Sequence, residues 1–85
     1  MKVIFTKEAL AQYDSWISDD NKKVLDRIER LLESIVETPF AGKGKPEPLK
    51  YEFTGTWSRR INKKDRLRYR VADDCIVVLS CRDHY

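Results

Sequence analysis

The sequence has few of the residues that build cross-links and metal sites, with two cysteines and one histidine among 85 residues. Cys75 and Cys81 lie six positions apart on one predicted strand, which separates them by roughly 20 Å at about 3.3 Å per residue. They cannot form a disulfide within that strand. Without clustered cysteines, histidines or paired carboxylates, the sequence shows no zinc or magnesium pattern. We therefore expect no metal and no other cofactor.

Long apolar runs are also missing. No stretch approaches the roughly 20 apolar residues that a membrane-spanning helix needs, and residues 1–6 are too short for a secretory signal. A chain of 85 residues cannot divide its apolar side chains between two cores. We expect one domain over residues 1–85, located in the cytoplasm and without a membrane partner.

Positive charge is concentrated in the second half of the chain. Residues 1–42 hold six Lys and Arg against eight Asp and Glu, whereas residues 43–85 hold eleven against six. The first half therefore has a net charge of −2 and the second half +5. A polyanion such as RNA is expected to bind the second half.

Two helices are predicted after a short strand at Lys2–Phe5. Thr6 is a plausible N-cap for a first helix that ends near residues 18–21, with Leu10, Tyr13 and Ile17 on its apolar face. The second helix is expected to begin with Asp19 or Asp20 as its cap and to end before Pro39. Its apolar positions have helical spacing and are Val24, Ile28, Leu31 and Ile35.

The second half predicts four strands, because runs of alternating residues are separated by short turns that favour antiparallel pairing. The strands expected are Leu49–Phe53, Trp57–Ile61, Arg66–Val71 and Cys75–Cys81, the last apolar on both faces and therefore central. The fold class is α+β, with two N-terminal helices packed on one face of a mainly antiparallel sheet. The other face is basic, since Arg66, Arg68 and Arg70 alternate with Leu67, Tyr69 and Val71. Arg60 is assigned to that face, and the side taken by Arg59 stays open.

Three residues of this half could together cleave RNA without a metal. Such cleavage needs a base for the 2′-OH, positive charge for the phosphate and an acid for the leaving 5′-oxygen. Glu47 between two prolines, Arg66 at the start of a strand and His84, which titrates near neutrality, could supply them. Each has an ordinary alternative: a loop carboxylate, an exposed strand face and a frayed terminus. Tyr85 could stack on a base or close the core.

Several segments resemble, in the same order along the whole chain, the YoeB toxins of bacterial toxin–antitoxin systems, within the RelE-like group with its microbial RNase-like fold. They are Thr38-Pro39-Phe40, Lys43-Gly44-Lys45-Pro46-Glu47-Pro48-Leu49-Lys50, Gly55-x-Trp57-Ser58-Arg59-Arg60-Ile61, Arg66-Leu67-x-Tyr69 and Cys81-Arg82-x-His84-Tyr85.

The resemblance implies a ribosome-dependent mRNA endonuclease, or mRNA interferase, that cuts the message in the decoding site beside the 16S rRNA. It implies Glu47 as general base, Arg66 as phosphate ligand, His84 as general acid and Tyr85 as a substrate-positioning residue. The residues alone do not decide whether Glu47 or His84 is the base. The RNA-binding residues expected are Lys50, Arg60 and Arg68, although Arg68 replaces an aliphatic residue of the family pattern and Asp83 an aromatic one.

The partners implied are a YefM-like antitoxin, operator DNA only through the antitoxin complex, and a second copy of the chain in a homodimer. Two other functions compete with the nuclease. A non-catalytic RNA- or ribosome-binding module would grip phosphate without cutting. A relative of the same fold could inhibit DNA gyrase, as ParE-type toxins do, although Glu47, Arg66 and His84 together argue against it.

Overall fold

A computed structural model describes residues 1–83, so the predicted site residues His84 and Tyr85 lie outside the described residues. The helices are α1, Lys7–Ser18, and α2, Lys22–Glu37. The strands are β1, Lys2–Phe5; β2, Glu47–Pro48; β3, Trp57–Arg60; β4, Arg66–Val71; and β5, Cys75–Asp83. They form one sheet in the order β1-β5-β4-β3-β2, in which β2 to β5 form an antiparallel meander and β1 runs parallel to β5. The predicted α+β class with two helices on a mainly antiparallel sheet is confirmed.

Side-chain caps fix the start of both helices. Thr6 Oγ1 accepts a hydrogen bond from the backbone N–H of Ala9 at 3.1 Å, which confirms the predicted cap of α1. The predicted cap of α2 was wrong, because Asn21 Oδ1 accepts from the N–H of Val24 at 3.1 Å. Asp20 is not available as a cap, since it turns the chain between the helices with φ at +52°. Asp19 ends α1 and binds Arg82 instead.

The core lies between the helices and one face of the sheet. All four apolar positions predicted for α2 are buried. The apolar face predicted for α1 was wrong in part, because Leu10 and Ile17 are about half exposed whereas Ala9 and Trp16 are buried. Trp16 is drawn inward because its indole N–H donates to the Cys81 carbonyl oxygen at 2.9 Å. None of the helices within residues 1–83 is long and apolar enough to cross a membrane.

The predicted strand Leu49–Phe53 does not form. Only Glu47 and Pro48 pair with β3, and the Leu49 N–H still donates to the Thr56 carbonyl at 3.0 Å before Tyr51, with φ at +57°, takes the chain out of the sheet. The chain then turns at Tyr51 into a single turn of 3₁₀-helix, Tyr51–Phe53. The other strands agree with prediction to within two residues, and β5 is central as expected.

The two faces of β4 have opposite character, as predicted. Leu67 and Tyr69 are fully buried towards the helices, and the arginines at 66, 68 and 70 lie on the face that the helices leave open. That face is basic over β3 and β4. Towards β1 it becomes apolar, because Ile4 and Val77 are partners in the sheet register. A polyanion would therefore be attracted to the β3–β4 half of the open face.

Candidate active site

The sheet brings together two of the residues predicted to be catalytic. Glu47 on β2 pairs with Ser58 on β3, and Arg66 begins β4 opposite Arg60. Arg66 Nη1 lies 3.4 Å from Glu47 Oε1, with the carboxylate side chain 59% and the guanidinium side chain 20% exposed. This distance is long for a charge-assisted hydrogen bond, which is typically 2.7–2.9 Å. The contact is therefore a weak one, and its carboxylate faces solvent while the guanidinium is mostly buried.

Like charges face each other beside this pair. Arg60 and Arg66 are direct partners across β3 and β4, and directly opposed cations destabilise an antiparallel pair. On its other side Arg66 is opposite Asp83, at the end of β5. Glu47 and Asp83 thus place two carboxylates beside the two arginines. A phosphate could bind both arginines if it took the place of a carboxylate beside Arg66.

The other residues predicted to bind RNA have different surroundings. Lys50 is exposed directly before the 3₁₀-helix, and Arg60 is exposed at the end of β3, on the open face as predicted. Arg68 is half-buried and packs its guanidinium over the ring of Phe53, 4.8 Å from the ring centroid. The structure therefore gives Arg68 a packing partner in addition to its charge.

Ser58 is a buried residue of the open face that the sequence did not single out. It pairs with Glu47 on one side and Arg68 on the other, and it is fully buried. Within the described part of the chain its hydroxyl oxygen has no hydrogen-bond partner. Alternation with Arg60 placed Ser58 on this face, but nothing in the sequence indicated that it would be covered.

The structure settles the position of Arg59, whose face the sequence left open. Its side chain points into the core and is 0% exposed. All five guanidinium N–H groups have acceptors, which is the full capacity of the side chain. The Nε group donates to Tyr69 Oη at 3.1 Å, Nη1 donates to Ser34 Oγ at 2.9 Å and the Lys43 carbonyl at 3.0 Å, and Nη2 donates to the carbonyls of Thr38 at 2.7 Å and Ala41 at 2.8 Å.

These hydrogen bonds fix the loop that carries Glu47. Tyr69 extends the network by donating to the Pro39 carbonyl at 2.6 Å, and burial raises the pKa of its phenol while the nearby Arg59 opposes that shift. The loop also passes very close to the core at Gly44, where an added Cβ would lie 2.7 Å from Leu31 Cδ2 and φ is +83°. The carbonyl of Gly44 accepts from the N–H of Arg60 at 2.8 Å. The loop is therefore held to both α2 and β3 before it reaches Glu47.

The end of β5 is fixed against α1. The backbone N–H groups of Cys81 and Arg82 both donate to Gln12 Oε1, at 2.6 and 3.1 Å. The guanidinium of Arg82 stacks 3.8 Å from the ring centroid of Trp16 and forms an ion pair with Asp19 at 2.7 Å. The predicted site residues at 84 and 85 directly follow this anchored strand in the sequence.

The possible metal ligands of the described chain are its carboxylates and its two cysteines. Among residues 1–83, no group of three His, Cys, Asp or Glu side chains could hold a metal ion. Both cysteines are free thiols. Burial raises the pKa of the Cys81 thiol to about 12, so it stays protonated near neutrality. The chemistry available to the described site is that of a carboxylate and guanidiniums on an open sheet face.

Comparison with known proteins identifies the family of this chain. Residues 5–85 match the model of the "YoeB-like toxin of bacterial type II toxin-antitoxin system". The chain belongs to the YoeB family of toxins. It is 47% identical to Toxin YoeB of Synechocystis over 85 residues, which cover 100% of this chain and 98% of that protein. It is 45% identical to Toxin YoeB of Escherichia coli K12, with both chains fully covered.

Solved structures of YoeB toxins have the same fold. The YoeB/ParE toxin from Agrobacterium tumefaciens superposes with a TM-score of 0.94 at 40% identity, and both chains are fully covered. The YoeB dimer from Staphylococcus aureus superposes with a TM-score of 0.92 at 41% identity, and the match covers 100% of this chain and 98% of that one. The same organism's YoeB is also known in a YoeB–YefM complex. The resemblance drawn from the sequence motifs is thereby confirmed at the level of family and fold.

Proposed function

We propose that this YoeB-family toxin is a ribosome-dependent mRNA endonuclease that cuts translated mRNA by metal-independent general acid/base attack of the 2′-OH. The observation that carries the proposal is the 3.4 Å contact between Glu47 and Arg66 on the basic half of the open face. A base and a phosphate ligand are needed side by side for this reaction. The sheet supplies that pair from two strands that are not neighbours in the sequence.

In this proposal the exposed Glu47 carboxylate removes the proton from the 2′-OH of the nucleotide to be cut. The 2′-oxygen then attacks the adjacent phosphorus, and Arg66 leaves the carboxylate to bind two non-bridging oxygens as negative charge develops. His84 protonates the leaving 5′-oxygen, and Tyr85 positions the substrate. The products are a 2′,3′-cyclic phosphate and a free 5′-hydroxyl end. Lys50, Arg60 and Arg68 hold the neighbouring phosphates.

The basic half of the open face would give this site its preference for a polyanion. Arg60 and Arg66 are register partners across β3 and β4, so both guanidiniums could bind phosphates of one RNA segment. Binding should therefore weaken steeply as salt rises. The same basic face would attract an acidic segment of a YefM-like antitoxin.

Relatives support the protein partners in this proposal. A Staphylococcus aureus relative forms a dimer and a YoeB–YefM complex. We propose the same partners for this chain: a cognate YefM-like antitoxin, a second copy of the toxin and, through the antitoxin complex alone, operator DNA. The active toxin would work in the cytoplasm on mRNA in the decoding site, next to 16S rRNA.

The experiment uses ribosomes programmed with a defined mRNA in which the ribose at the cut position is either natural or 2′-deoxy. Glu47→Gln and Arg66→Gln should each lower the rate of cutting by roughly 10²-fold or more, with ribosome affinity changed far less. Arg70→Gln is the matched control, because Arg70 is exposed on the same face of β4 but lies opposite Val77. It should cut at nearly the rate of the parent protein.

Cutting of the 2′-deoxy message at the natural rate would contradict the mechanism. Tight ribosome binding that leaves every message whole would instead support the non-catalytic binding module. The Agrobacterium neighbour is described as a YoeB/ParE toxin, so a gyrase supercoiling assay completes the comparison. Inhibition of gyrase without cleavage of mRNA would replace the nuclease with a ParE-like activity.

A further inference from the structure

Tyr51 combines strong exposure with an unfavourable backbone conformation. Its relative exposure is 90%, the highest among the exposed large apolar residues of the described chain. Its φ is +57°, in the left-handed region that residues with a Cβ rarely adopt. A tyrosine at such a position loses backbone stability and gains no burial. An aromatic ring held in water under backbone strain is a candidate for contact with a ligand.

The backbone that holds this ring is closed by several hydrogen bonds. The Tyr51 carbonyl accepts from the N–H of Thr54 at 3.0 Å and from its hydroxyl at 2.7 Å. The Phe53 carbonyl accepts from the N–H and hydroxyl of Thr56 at 3.0 and 2.6 Å, and the N–H of Phe53 donates to the Lys50 carbonyl at 3.1 Å. The left-handed residue therefore belongs to a closed turn that presents the ring to solvent.

The turn lies at the edge of the proposed cleavage site. Tyr51 follows Glu47 by four residues, and the ring of Phe53 packs against the guanidinium of Arg68 on the open face. Lys50, the residue before Tyr51, is exposed. Tyr51 is thus an aromatic ring beside a cation at the rim of a basic surface, the combination with which proteins bind single-stranded RNA.

We propose that Tyr51 is a stacking platform for a nucleobase of the bound RNA, next to the nucleotide that is cut, while Lys50 holds the phosphate of the same segment. This inference rests on the proposed function, because it takes mRNA as the ligand of the open face. Stacking on an aromatic side chain tolerates any base, since every base has a π-face. Tyr51 therefore contributes to affinity and to the placement of the strand rather than to base identity.

The test uses ribosomes programmed with an mRNA that carries 2-aminopurine beside the cut position, in natural and 2′-deoxy forms. Tyr51→Gly and Tyr51→Ala should lose the fluorescence quenching caused by stacking and weaken productive binding on the order of tenfold to a hundredfold. Tyr51→Phe should keep both, because it retains the ring. Leu10→Ala, which truncates a half-exposed side chain on α1, is the matched control and should resemble the parent.

Thermal unfolding separates contact with RNA from a structural role. Glycine adopts positive φ without steric cost, so Tyr51→Gly should have a Tm no lower than that of the parent while its binding is weaker. A fall in Tm that parallels the loss of binding would overturn the inference. So would quenching and cutting that match the parent in all three Tyr51 variants, or a change confined to antitoxin affinity.

The two proposals can fail separately. If the parent cuts mRNA and the Tyr51 variants cut and quench as it does, the stacking inference is overturned and the nuclease remains. Quenching that depends on Tyr51, without any cut in natural mRNA, supports stacking and overturns the nuclease.

Discussion

Replacing Arg59 with leucine should destabilise the fold far more than replacing its neighbour Arg60. The Arg59 guanidinium is fully buried and donates five hydrogen bonds, whereas Arg60 is exposed on the other face of the same strand. Both variants lose one positive charge and gain the same side chain. A difference in stability between Arg59→Leu and Arg60→Leu therefore reports the burial and the hydrogen bonds of Arg59 rather than its charge.

The magnitude follows from the acceptors that Arg59 would leave behind. Hydrogen bonds to a charged group contribute about 1.5–3 kcal/mol each, so five would total roughly 8–15 kcal/mol if nothing replaced them. Three of the acceptors are carbonyls of residues that are themselves exposed, Thr38, Ala41 and Lys43, and water can reach such groups. Discounting for that, we expect Arg59→Leu to lower the free energy of unfolding by about 3–5 kcal/mol.

The assay is equilibrium urea unfolding followed by tryptophan fluorescence. With an m-value near 1.5 kcal/mol/M, the midpoint of Arg59→Leu should fall by roughly 2–3 M, and Arg60→Leu should stay within about 0.5 kcal/mol of the parent. The total free energy of unfolding of a domain of this size is only about 4–13 kcal/mol. Arg59→Leu could therefore be largely unfolded. Arg59→Lys, which keeps the charge but has at most three donors, should then give a smaller, measurable loss. Equal midpoints for Arg59→Leu and Arg60→Leu would refute the reasoning.

Three further predictions concern the fold. Trp16→Phe should lower the free energy of unfolding by about 1–3 kcal/mol, because it removes the donor to the buried Cys81 carbonyl, and urea unfolding measures the loss. Asn21→Ala should lower it by about 1 kcal/mol and Asp20→Gly by less, since Asn21 supplies the cap of α2 and glycine accepts the positive φ of residue 20; equal losses would contradict that assignment. The raised pKa of Cys81 means that the folded state keeps its proton when the unfolded state loses it. Stability from this thiol is therefore fully present below about pH 9 and is lost as pH rises towards 12. Urea midpoints of the parent should fall more across that range than those of Cys81→Val, and a thiol reagent at pH 8 should modify Cys75 before Cys81.

The sequence predicted best the elements whose pattern is local. The spacing of Val24, Ile28, Leu31 and Ile35 has one physical explanation, an amphipathic helix, and all four are buried. The alternation in β4 likewise predicts which side chains face the helices, and Leu67 and Tyr69 are buried as expected.

Reasoning from the sequence left a position undecided or failed where the decisive contacts are distant in the sequence or the backbone conformation is rare. Arg59 lies between Trp57 and Ile61 on one side of its strand, but its burial depends on acceptors contributed by residues 34–43 and by Tyr69. The run Leu49–Phe53 alternates like a strand, and only a left-handed tyrosine converts it into a turn. Tertiary contacts decided the side taken by Arg59, whereas a local turn with a rare backbone conformation replaced the expected strand.

The candidate site was only partly accessible to reasoning from residue types. Carboxylate, guanidinium and imidazole indicated a chemistry, but the resemblance to YoeB toxins, rather than spacing, assigned their roles. The structure brings Glu47 and Arg66 together. The roles of all four residues remain predictions, and His84 and Tyr85 lie outside residues 1–83.

The most direct test of the nuclease is a reconstituted translation reaction programmed with one defined mRNA, in which new 5′ ends are mapped with and without the protein. We expect cuts in the codon that occupies the decoding site, strongly reduced with Glu47→Gln or His84→Gln and unchanged with Arg70→Gln. A message that remains intact while translation stalls, or cuts that persist at full rate in Glu47→Gln, would contradict the account.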